Sequence, residues 1–351
     1  MKLLFVIAAL RNGGAERVLE VVANHFSKNN EVSIAILENN ENLYKFDKNI
    51  NFINLNVYEN GGKFNKYIKL RECFKAQNPD VIISFIDWTN VACAIANFGL
   101  KYKLIVTEHN SYEFLKSKPF SIIRNLAYRQ ADALTVLTKS DFSYYSKFVK
   151  NCVIMHNPFF GESSQNLQKE NIILCVARLE KVKGYDVFLK ALSGINKVLL
   201  KEYRILIAGD GSQRQYLEIM AKDLNLNIEF LGHKIDIKEI YEKAKIFVLA
   251  SFSEGLSNVL IESAFYECVR ISSKTAGGIE LIEDGKTGLL FDIGNSKELS
   301  RKLEIAICND NLRKEIIHNT NKTLENFNYE NIMQKWQKLI ENVIGTKNEQ
   351  H

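Results

Sequence analysis

Continuous apolar strands alternate with helices along the chain, and this alternation occurs twice. Apolar runs at residues 3–9 and 81–85 are separated by segments with helical spacing, and the pattern restarts at residues 172–176. Strands that are apolar on both faces and joined by helices indicate a parallel sheet covered on both sides. A chain of 351 residues is also too long for one ordinary core. We therefore predict two doubly wound α/β domains that face each other across a cleft.

The predicted elements divide the chain into two domains and a closing helix. Strands are expected at residues 3–9, 32–37, 53–55, 81–85, 104–108 and 133–137, and again at 172–176, 203–208, 228–231 and 246–250. Helices are expected at residues 15–26, 64–76, 90–98, 122–129, 185–192, 214–224 and 237–243, from about 257, and at 328–343. Residues 1–160 then form the first domain and 161–327 the second, which begins with a polar linker at 161–171. Residues 328–351 carry apolar side chains at helical spacing, which predicts a helix that packs back on the first domain.

Composition and charge narrow the class of protein. Lys and Arg number 46 against 41 Asp and Glu, a mild excess that suits an acidic ligand or an anionic membrane surface. No apolar run reaches the roughly 20 residues that span a bilayer, so we expect any membrane association to be peripheral. The six cysteines are spread singly, which indicates reduced structural thiols in a cytoplasmic protein. Arg11 and Glu16 directly follow the apolar N-terminus, which favours a buried first strand over a signal peptide.

The segment from Glu254 to Glu262 follows a predicted strand and enters a helix. Ser257 is placed to cap that helix with its hydroxyl, and the backbone N–H groups there, together with the helix dipole, form an anion site. A ligand with phosphates at the helix start would bring hydroxyl groups against the two carboxylates, which are good acceptors for them. Taken alone, such a pair of carboxylates is more often solvated. The residues that line this predicted site are Glu254, Gly255, Leu256, Ser257, Asn258, Val259 and Glu262.

Two basic residues follow the first strand of the second domain. Arg178 offers a planar fork and Lys183 a point charge, and both suit a diphosphate. Basic residues after strands are usually solvated, but these two come at the same sheet edge as Glu254. Together they predict a phosphate clamp. Gly209 ends the next strand at that edge, in the run Gly-Asp-Gly.

Polar residues and glycines also follow strands of the first domain. Gly13 and Gly14 let phosphates approach the backbone, although their spacing is not GxGxxG and a plain tight turn explains them equally well. His109 is either structural or a donor that stabilises negative charge. Asp87 either binds an acceptor or caps the next helix.

Metal and nucleotide motifs are missing from the sequence. It contains no DxD motif, no metal-ligand spacing and no GxxxxGK[ST]. We therefore expect no metal and no cofactor, with the charge of a departing diphosphate neutralised by Arg178, Lys183 and the helix start.

Two segments mix basic and apolar residues. One spans residues 63–75 and includes Lys63, Lys66 and Lys69; the other, near His109, includes Lys116, Lys118, Arg124 and Arg129. Such helices either lie on anionic lipid or are solvated faces. No nucleic-acid motif accompanies them, so we expect no nucleic-acid partner.

These motifs together resemble family 4 of the retaining glycosyltransferases, which have the GT-B fold of two Rossmann-like domains. The resemblance covers nearly the whole chain and includes Gly-Gly-Ala-Glu-Arg at residues 13–17 and the Glu-x7-Glu motif from Glu254 to Glu262. It implies that Arg178 and Lys183 hold the diphosphate of a nucleotide sugar. It also implies that Glu262 holds the ribose and that Glu254 contacts the donor sugar.

Within the family, the chain most resembles the N-acetylgalactosamine transferases of bacterial protein N-glycosylation. Residues 84–90, 107–110 and 257–263 carry the likeness, with residues 267–273, where the wider family has Gly-x-Pro-Val. The likeness implies transfer from UDP-N-acetylgalactosamine to an undecaprenyl-diphosphate glycan, with Asp87, Lys66, Lys69 and His109 on the acceptor side. It further implies a location on the cytoplasmic face of the inner membrane. The alternatives are a hexosyltransferase of lipooligosaccharide, capsule or O-antigen synthesis and, more remotely, a sugar-nucleotide epimerase or a non-catalytic binder.

Overall fold

The computed structural model of the chain describes residues 1–11, 13–38, 44–57, 64–113, 118–159, 168–234 and 236–345. These residues belong to two compact units, Met1–Pro158 with Glu330–His351, and Phe159–Tyr329. Lys63, Lys116, the side chain of Lys118 and residues 161–167 of the expected linker lie outside the described residues. The cleft expected between the two domains stays a prediction.

The first unit is built on a parallel sheet. Its strands in the described residues are β1 (Lys2–Ile7), β2 (Glu31–Ile36), β3 (Asn51–Asn54), β4 (Val81–Phe85), β5 (Lys103–Thr107), β6 (Ala133–Val136) and β7 (Cys152–Ile154). They pair in the order β3-β2-β1-β4-β5-β6-β7. The helices between them are α1 (Gly14–Ser27), α2 (Asn65–Gln77), α3 (Asp87–Asn97), α4 (Lys118–Tyr128) and α5 (Lys139–Tyr145).

The second unit repeats this architecture. Its strands in the described residues are β8 (Glu170–Val176), β9 (Arg204–Ala208), β10 (Ile228–Gly232), β11 (Ala244–Leu249), β12 (Val269–Ser273) and β13 (Leu289–Phe291). They pair in the order β10-β9-β8-β11-β12-β13, again all parallel. The helices are α6 (Tyr185–Ser193), α7 (Lys197–Lys201), α8 (Arg214–Asp223), α9 (Lys238–Lys243), α10 (Asn258–Phe265), α11 (Ala276–Leu281), α12 (Ser296–Cys308) and α13 (Asp310–Asn321), with 3-10 turns at Lys181–Lys183 and Leu324–Phe327.

The last helix, α14 (Tyr329–Gly345), groups with the first unit from Glu330 onward. Its buried side chains recur at helical spacing, so one apolar face carries its packing. They are Ile332, Met333, Trp336, Leu339, Ile340 and Val343.

The prediction of two doubly wound α/β domains is confirmed. Every side chain of β4 is buried, as expected for a central parallel strand with helices on both faces. Two helix starts were predicted wrongly by three residues or more, because α3 begins at Asp87 and not at residue 90, and α4 begins at Lys118 and not at residue 122. All six cysteines lie in the described residues and none is disulfide-bonded: Cys308 is exposed, Cys152 is half-buried and the other four are buried.

Candidate active site

The second sheet reverses its strand order next to β8. Strands β9 and β10 extend the sheet on one side of β8, whereas β11, β12 and β13 extend it on the other. The loops that leave β8 and β11 therefore diverge to opposite faces, and α/β folds bind ligands in the crevice left at such a point. Arg178 and Lys183 follow β8, and Glu254 follows β11. The fold thus brings these three predicted residues to the same place.

Lys183 and Glu254 form the central contact of this crevice. Lys183 Nζ donates to Glu254 Oε1 at 2.6 Å, and Ser251 Oγ donates to the same oxygen at 2.7 Å. Ser251 is fixed in turn, because its carbonyl accepts a 2.6 Å hydrogen bond from Ser273 Oγ. The Lys183 and Glu254 side chains remain 19% and 11% exposed. The family resemblance assigns Lys183 to the diphosphate and Glu254 to the donor sugar. In the structure these two side chains form an ion pair that solvent still reaches.

Gly184 sets the distance between the two loops. Its φ of 64° lies in the left-handed region that favours glycine. A Cβ at this position would lie 2.1 Å from the carbonyl oxygen of Ala250. The N–H of Phe252 also donates to the carbonyl of Val182 at 2.8 Å. Backbone contact on both sides of Lys183 therefore fixes its position relative to Glu254.

Arg178 and Gly209 have different roles at this edge. Arg178 is exposed, and its guanidinium makes no ion pair with any residue that the structure describes. Gly209 has a φ of 141°, and a Cβ there would lie 1.9 Å from the carbonyl oxygen of Ala177. The need for glycine at 209 is thus explained by backbone packing between the ends of β8 and β9. Arg178 is therefore available to an anion.

Helix α10 begins where the sequence places the anion site. Ser257 is its N-cap residue, with an extended backbone, but its hydroxyl makes no capping hydrogen bond, so the predicted hydroxyl cap is wrong. Leu256 and Ser257 are buried, and the other predicted residues of the segment, namely Glu254, Gly255, Asn258, Val259 and Glu262, are half-buried. The start of α10 is therefore not capped by its own side chain.

Gly13 and Gly14 lie at the start of α1, after β1 at the corresponding reversal of the first sheet. The N–H of Gly13 donates to the hydroxyl of Tyr44 at 3.0 Å. That hydroxyl also lies 2.8 Å from the carbonyl oxygen of Arg11 and 3.0 Å from that of Gly13. Tyr44 therefore occupies the backbone donor that the sequence offers to a ligand. Tyr44 lies 31 residues further along the chain, so its contact with Gly13 could not be predicted from the sequence.

Asp87 is the first residue of α3 and is 4% exposed. Its Oδ1 accepts the backbone N–H of Trp88 at 2.5 Å, and its Oδ2 accepts from Asn110 Nδ2 at 3.4 Å. Burial raises the pKa of this carboxyl. Of the two roles open to Asp87, these contacts favour the one at the helix start.

His109 follows β5 and stacks on Phe85, with ring centroids 5.4 Å apart and planes 17° apart. Burial lowers the pKa of its imidazole to about 4. The ring is therefore neutral at pH 7. It can stabilise negative charge by donating one hydrogen bond, but not as a cation in this state.

Two lysines of α2 differ in the contacts that they make within the fold. Lys69 Nζ donates to the carbonyl oxygens of Leu55 and Asn56 at 2.8 and 2.9 Å. Lys66 Nζ lies over the rings of Tyr67 and Trp88, at 5.0 and 5.8 Å from their centroids. Lys69 thus holds the segment after β3, and Lys66 is the better placed of the two to meet an acceptor.

The second basic segment divides between core and surface. Arg124 is 1% exposed, so the expectation of a solvated or lipid-facing side chain is wrong for it. Its guanidinium lies 5.2 Å from the ring centroid of Tyr145. Arg129 is exposed and lies 5.6 Å from the ring centroid of Phe148.

Comparison with known proteins decides the family. The profile of glycosyltransferase family 4 matches residues 12–158, and that of the glycosyl transferases group 1 matches residues 159–323. A Campylobacter jejuni protein is 40% identical over 98% of this chain and 99% of its own length. The chain belongs to glycosyltransferase family 4.

That Campylobacter relative of this family 4 glycosyltransferase is named GalNAc-α-(1→4)-GalNAc-α-(1→3)-diNAcBac-PP-undecaprenol α-1,4-N-acetyl-D-galactosaminyltransferase. A second C. jejuni relative, an N-acetylgalactosaminyltransferase whose name gives an N-acetylgalactosamine-N,N'-diacetylbacillosaminyl-diphospho-undecaprenol as acceptor, is 28% identical over 89% of the chain and 92% of its own length. Among solved structures, Anabaena HepE in complex with UDP and glucose has a TM-score of 0.80 at 18% identity, covering 97% of this chain and 100% of HepE. This structural likeness shows the shared two-domain fold.

A membrane-spanning helix and a group of metal ligands are both absent from the described residues. None of their helices combines the length and the apolar character needed to cross a bilayer. Among the same residues, no three His, Cys, Asp or Glu side chains are grouped so that they could hold a metal ion.

Proposed function

We propose that this family 4 glycosyltransferase moves N-acetylgalactosamine from UDP-N-acetylgalactosamine to a glycan on undecaprenyl diphosphate, with retention of anomeric configuration. The observation that carries the proposal is the 40% identity, over almost the full length of both chains, to the Campylobacter protein whose name gives N-acetylgalactosamine transfer to an undecaprenyl-diphosphate glycan. The proposed product is a lipid-linked glycan of the kind that serves bacterial protein N-glycosylation.

The donor site of this proposal is the crevice at the carboxyl edge of the second sheet. The exposed Arg178 and the ammonium of Lys183 bind the diphosphate, together with the start of α10. Glu262, on the second turn of α10, accepts hydrogen bonds from the ribose. The side-chain hydrogen bonds of Glu254 with described residues both use Oε1, so Oε2 is the oxygen that accepts a hydroxyl of the sugar. Gly209 shapes the edge of this site through the backbone.

The proposed chemistry needs no protein nucleophile. The bond from the sugar to the diphosphate breaks, and the acceptor hydroxyl attacks from the same face while an oxygen of the leaving phosphate takes its proton. Lys183 and Arg178 stabilise the negative charge that develops on the diphosphate, with the helix start. His109 contributes a neutral N–H donor. The charge compensation is supplied by the chain itself, so we expect activity without an added divalent metal.

Mass spectrometry of products tests this function. We expect purified enzyme, UDP-N-acetylgalactosamine and a polyprenyl-diphosphate glycan to yield a product heavier by one or more N-acetylhexosamine residues. UDP-galactose, UDP-glucose and UDP-N-acetylglucosamine serve as competing donors, and a lipooligosaccharide acceptor as the competing acceptor. Preference for a hexose donor or for lipooligosaccharide would contradict the proposal. A β-linked product, detected by NMR of the anomeric proton, would contradict retention.

We also propose that the first unit docks on the cytoplasmic face of the inner membrane. Helix α4 exposes Ile122, Ile123 and Leu126, which are 60%, 49% and 53% exposed, and the exposed Arg129 directly follows its last residue. On α2 and the residue before it, Phe64 and Ile68 are exposed beside Lys66. Apolar side chains flanked by cations suit an anionic bilayer surface.

Vesicle sedimentation tests the docking. The protein should sediment with vesicles that contain phosphatidylglycerol, and Ile122→Ser with Ile123→Ser should weaken this at least several-fold. Val198→Ser is the matched control, because Val198 is 71% exposed on α7 of the second unit. Equal loss in both variants, or no loss in either, would contradict a docking surface on α4.

A further inference from the structure

The carboxylate of Glu108 lies buried directly before His109, at the end of β5. Glu108 is 2% exposed. Its Oε1 accepts the backbone N–H groups of His109 and Asn110, at 3.1 and 3.2 Å. Its Oε2 accepts the hydroxyl proton of Tyr128 at 2.7 Å. One carboxylate thus ties the loop that carries His109 to α4.

The hydroxyl of Tyr128 has its direction fixed by Asn90. The side-chain amide of Asn90 donates to the Tyr128 oxygen at 3.1 Å and to the carbonyl of Thr107 at 2.8 Å. The Asn90 carbonyl oxygen accepts from Ser84 Oγ at 2.7 Å, which fixes the amide orientation. Because Asn90 donates to the phenol, the phenol proton is directed to Glu108.

Charged and titratable groups face Glu108 from three helices. Asp87 on α3 and the phenol of Tyr145 on α5 lie near it, and Arg124 on α4 supplies a buried positive charge. Nε and Nη1 of Arg124 have no hydrogen-bond partner in the described part of the chain, so Arg124 acts on this group through its charge. Burial and, after it, the negative charge of Asp87 raise the pKa of Glu108, and the hydrogen bond from Tyr128 opposes them; the resulting pKa is about 7. The carboxylate therefore changes charge in the neutral pH range.

We propose that Glu108 is a positioning residue for glycosyl transfer, which holds the backbone of His109 and Asn110 and so fixes the direction in which the imidazole of His109 donates. This rests on the proposed function, because Glu108 acts through His109. The ionised carboxylate accepts both N–H groups of the loop as charge-assisted hydrogen bonds. Protonation weakens these bonds and loosens the loop. The position of the His109 ring, set against Phe85, then becomes less defined.

Kinetics of Glu108→Gln test the proposal, because glutamine keeps the shape and removes the charge. The wild-type kcat should rise with pH through about 7, where the carboxylate ionises. Glu108→Gln should lose that rise and have a kcat about tenfold lower at pH 8, with the KM for the nucleotide sugar little changed. A variant that keeps both the rise and a kcat within twofold of wild type would overturn the role.

Tyr128→Phe separates positioning from a merely structural role. It removes the hydrogen bond that lowers the pKa of Glu108 but leaves the two loop N–H groups in place. The rise in kcat should therefore move to higher pH and reach the same plateau. The matched control is Glu113→Gln, which makes the same chemical change at an exposed position of the same loop and should leave the profile unchanged.

A second measurement does not depend on the sugar or on the acceptor. With 15N-histidine labelling of the full chain, the amide resonance of His109 should titrate with a midpoint near 7 in the wild type and not in Glu108→Gln. Absence of that titration in the wild type would overturn the proposal even if transfer is observed. If another donor replaces UDP-N-acetylgalactosamine, the proposed function fails, and the kinetic test proceeds with that donor.

Discussion

The polar groups at the strand ends of the two sheets are arranged in opposite ways. In the second sheet, Lys183 and Glu254 are paired within reach of solvent, and Arg178 is exposed. In the first sheet, Asp87 and Glu108 are buried and their pKa values are raised, and the imidazole of His109 is neutral. One region keeps its charges available to a charged ligand, whereas the other uses buried hydrogen bonds to fix the geometry of a loop. We therefore propose that the second sheet binds the charged ligand and that the first sheet positions a loop.

The largest expected effect tests how rigidly the second sheet fixes its charges. Gly184→Ala should lower the free energy of unfolding by about 3 kcal/mol, because the methyl group meets the Ala250 carbonyl in a left-handed backbone. Gly285→Ala is the control, with a φ of 77° but nothing within 4 Å, and should cost about 1 kcal/mol. In the first unit, Gly13→Ala should cost less than about 1 kcal/mol, because it meets the movable side chain of Glu16. Urea denaturation measures all three, and equal losses would remove the contrast.

The buried carboxylate of the first sheet should make stability depend on pH. The pKa of Glu108 is raised from 4.5 to about 7 in the folded state, so the folded state binds its proton more tightly than the unfolded state does. This contribution is fully present below pH 4.5 and is lost as the pH rises to about 7, to a total of roughly 3 kcal/mol. Relative to wild type, Glu108→Gln should therefore gain stability over that range in urea unfolding experiments. Parallel curves for the two proteins would contradict the burial of this charge, and Glu113→Gln should run parallel to wild type.

The ion pair of the second sheet should matter for turnover. Lys183→Ala should lower kcat/KM for the nucleotide sugar about a hundredfold, because it removes a cation that stabilises the departing diphosphate. Lys181→Ala provides the control, since Lys181 lies on the same 3-10 turn and is exposed. Steady-state kinetics with both variants will show whether position or mere positive charge is needed. Similar losses at 181 and 183 would favour charge alone.

The smallest expected effect compares two helix starts. Thr138 Oγ1 accepts the N–H of Asp141 at 3.1 Å at the start of α5 in the first unit, whereas Ser257 makes no such bond at the start of α10. Thr138→Ala should therefore cost about 1 kcal/mol of stability and Ser257→Ala only a few tenths. Thermal unfolding measures the difference. A large loss for Ser257→Ala would mean that its hydroxyl caps α10 after all.

The sequence predicted the parts of the fold that depend on local periodicity. Alternating apolar strands and helices revealed both sheets and the place of Arg178, Lys183 and Glu254 at one edge. Short elements such as α5, β7 and α7 were missed, because so few residues leave no clear period. The elements from β12 to α13 were also left unassigned, although the helix before them, α10, was predicted.

The contacts between distant segments could not be read from the sequence. Tyr44 against Gly13, and Lys69 against the carbonyls of Leu55 and Asn56, depend on how the chain returns in space. The left-handed backbone of Ile86, with a φ of 71°, is unusual for a β-branched residue and is imposed by the junction of β4 with α3. Burial of Arg124 and Glu108 likewise depends on the helices that cover them.

The exposure of Cys308 offers a route to direct observation of donor binding. This thiol is exposed at the end of α12, whereas four of the other cysteines are buried and Cys152 is half-buried with its pKa raised to about 12 by burial. A maleimide dye reacts with thiolates, so it should label Cys308 first and leave the core intact. The native chain can then carry a single fluorophore on its second unit without any engineered cysteine. Titration of that conjugate with nucleotide sugars would rank donors before any acceptor has been synthesised.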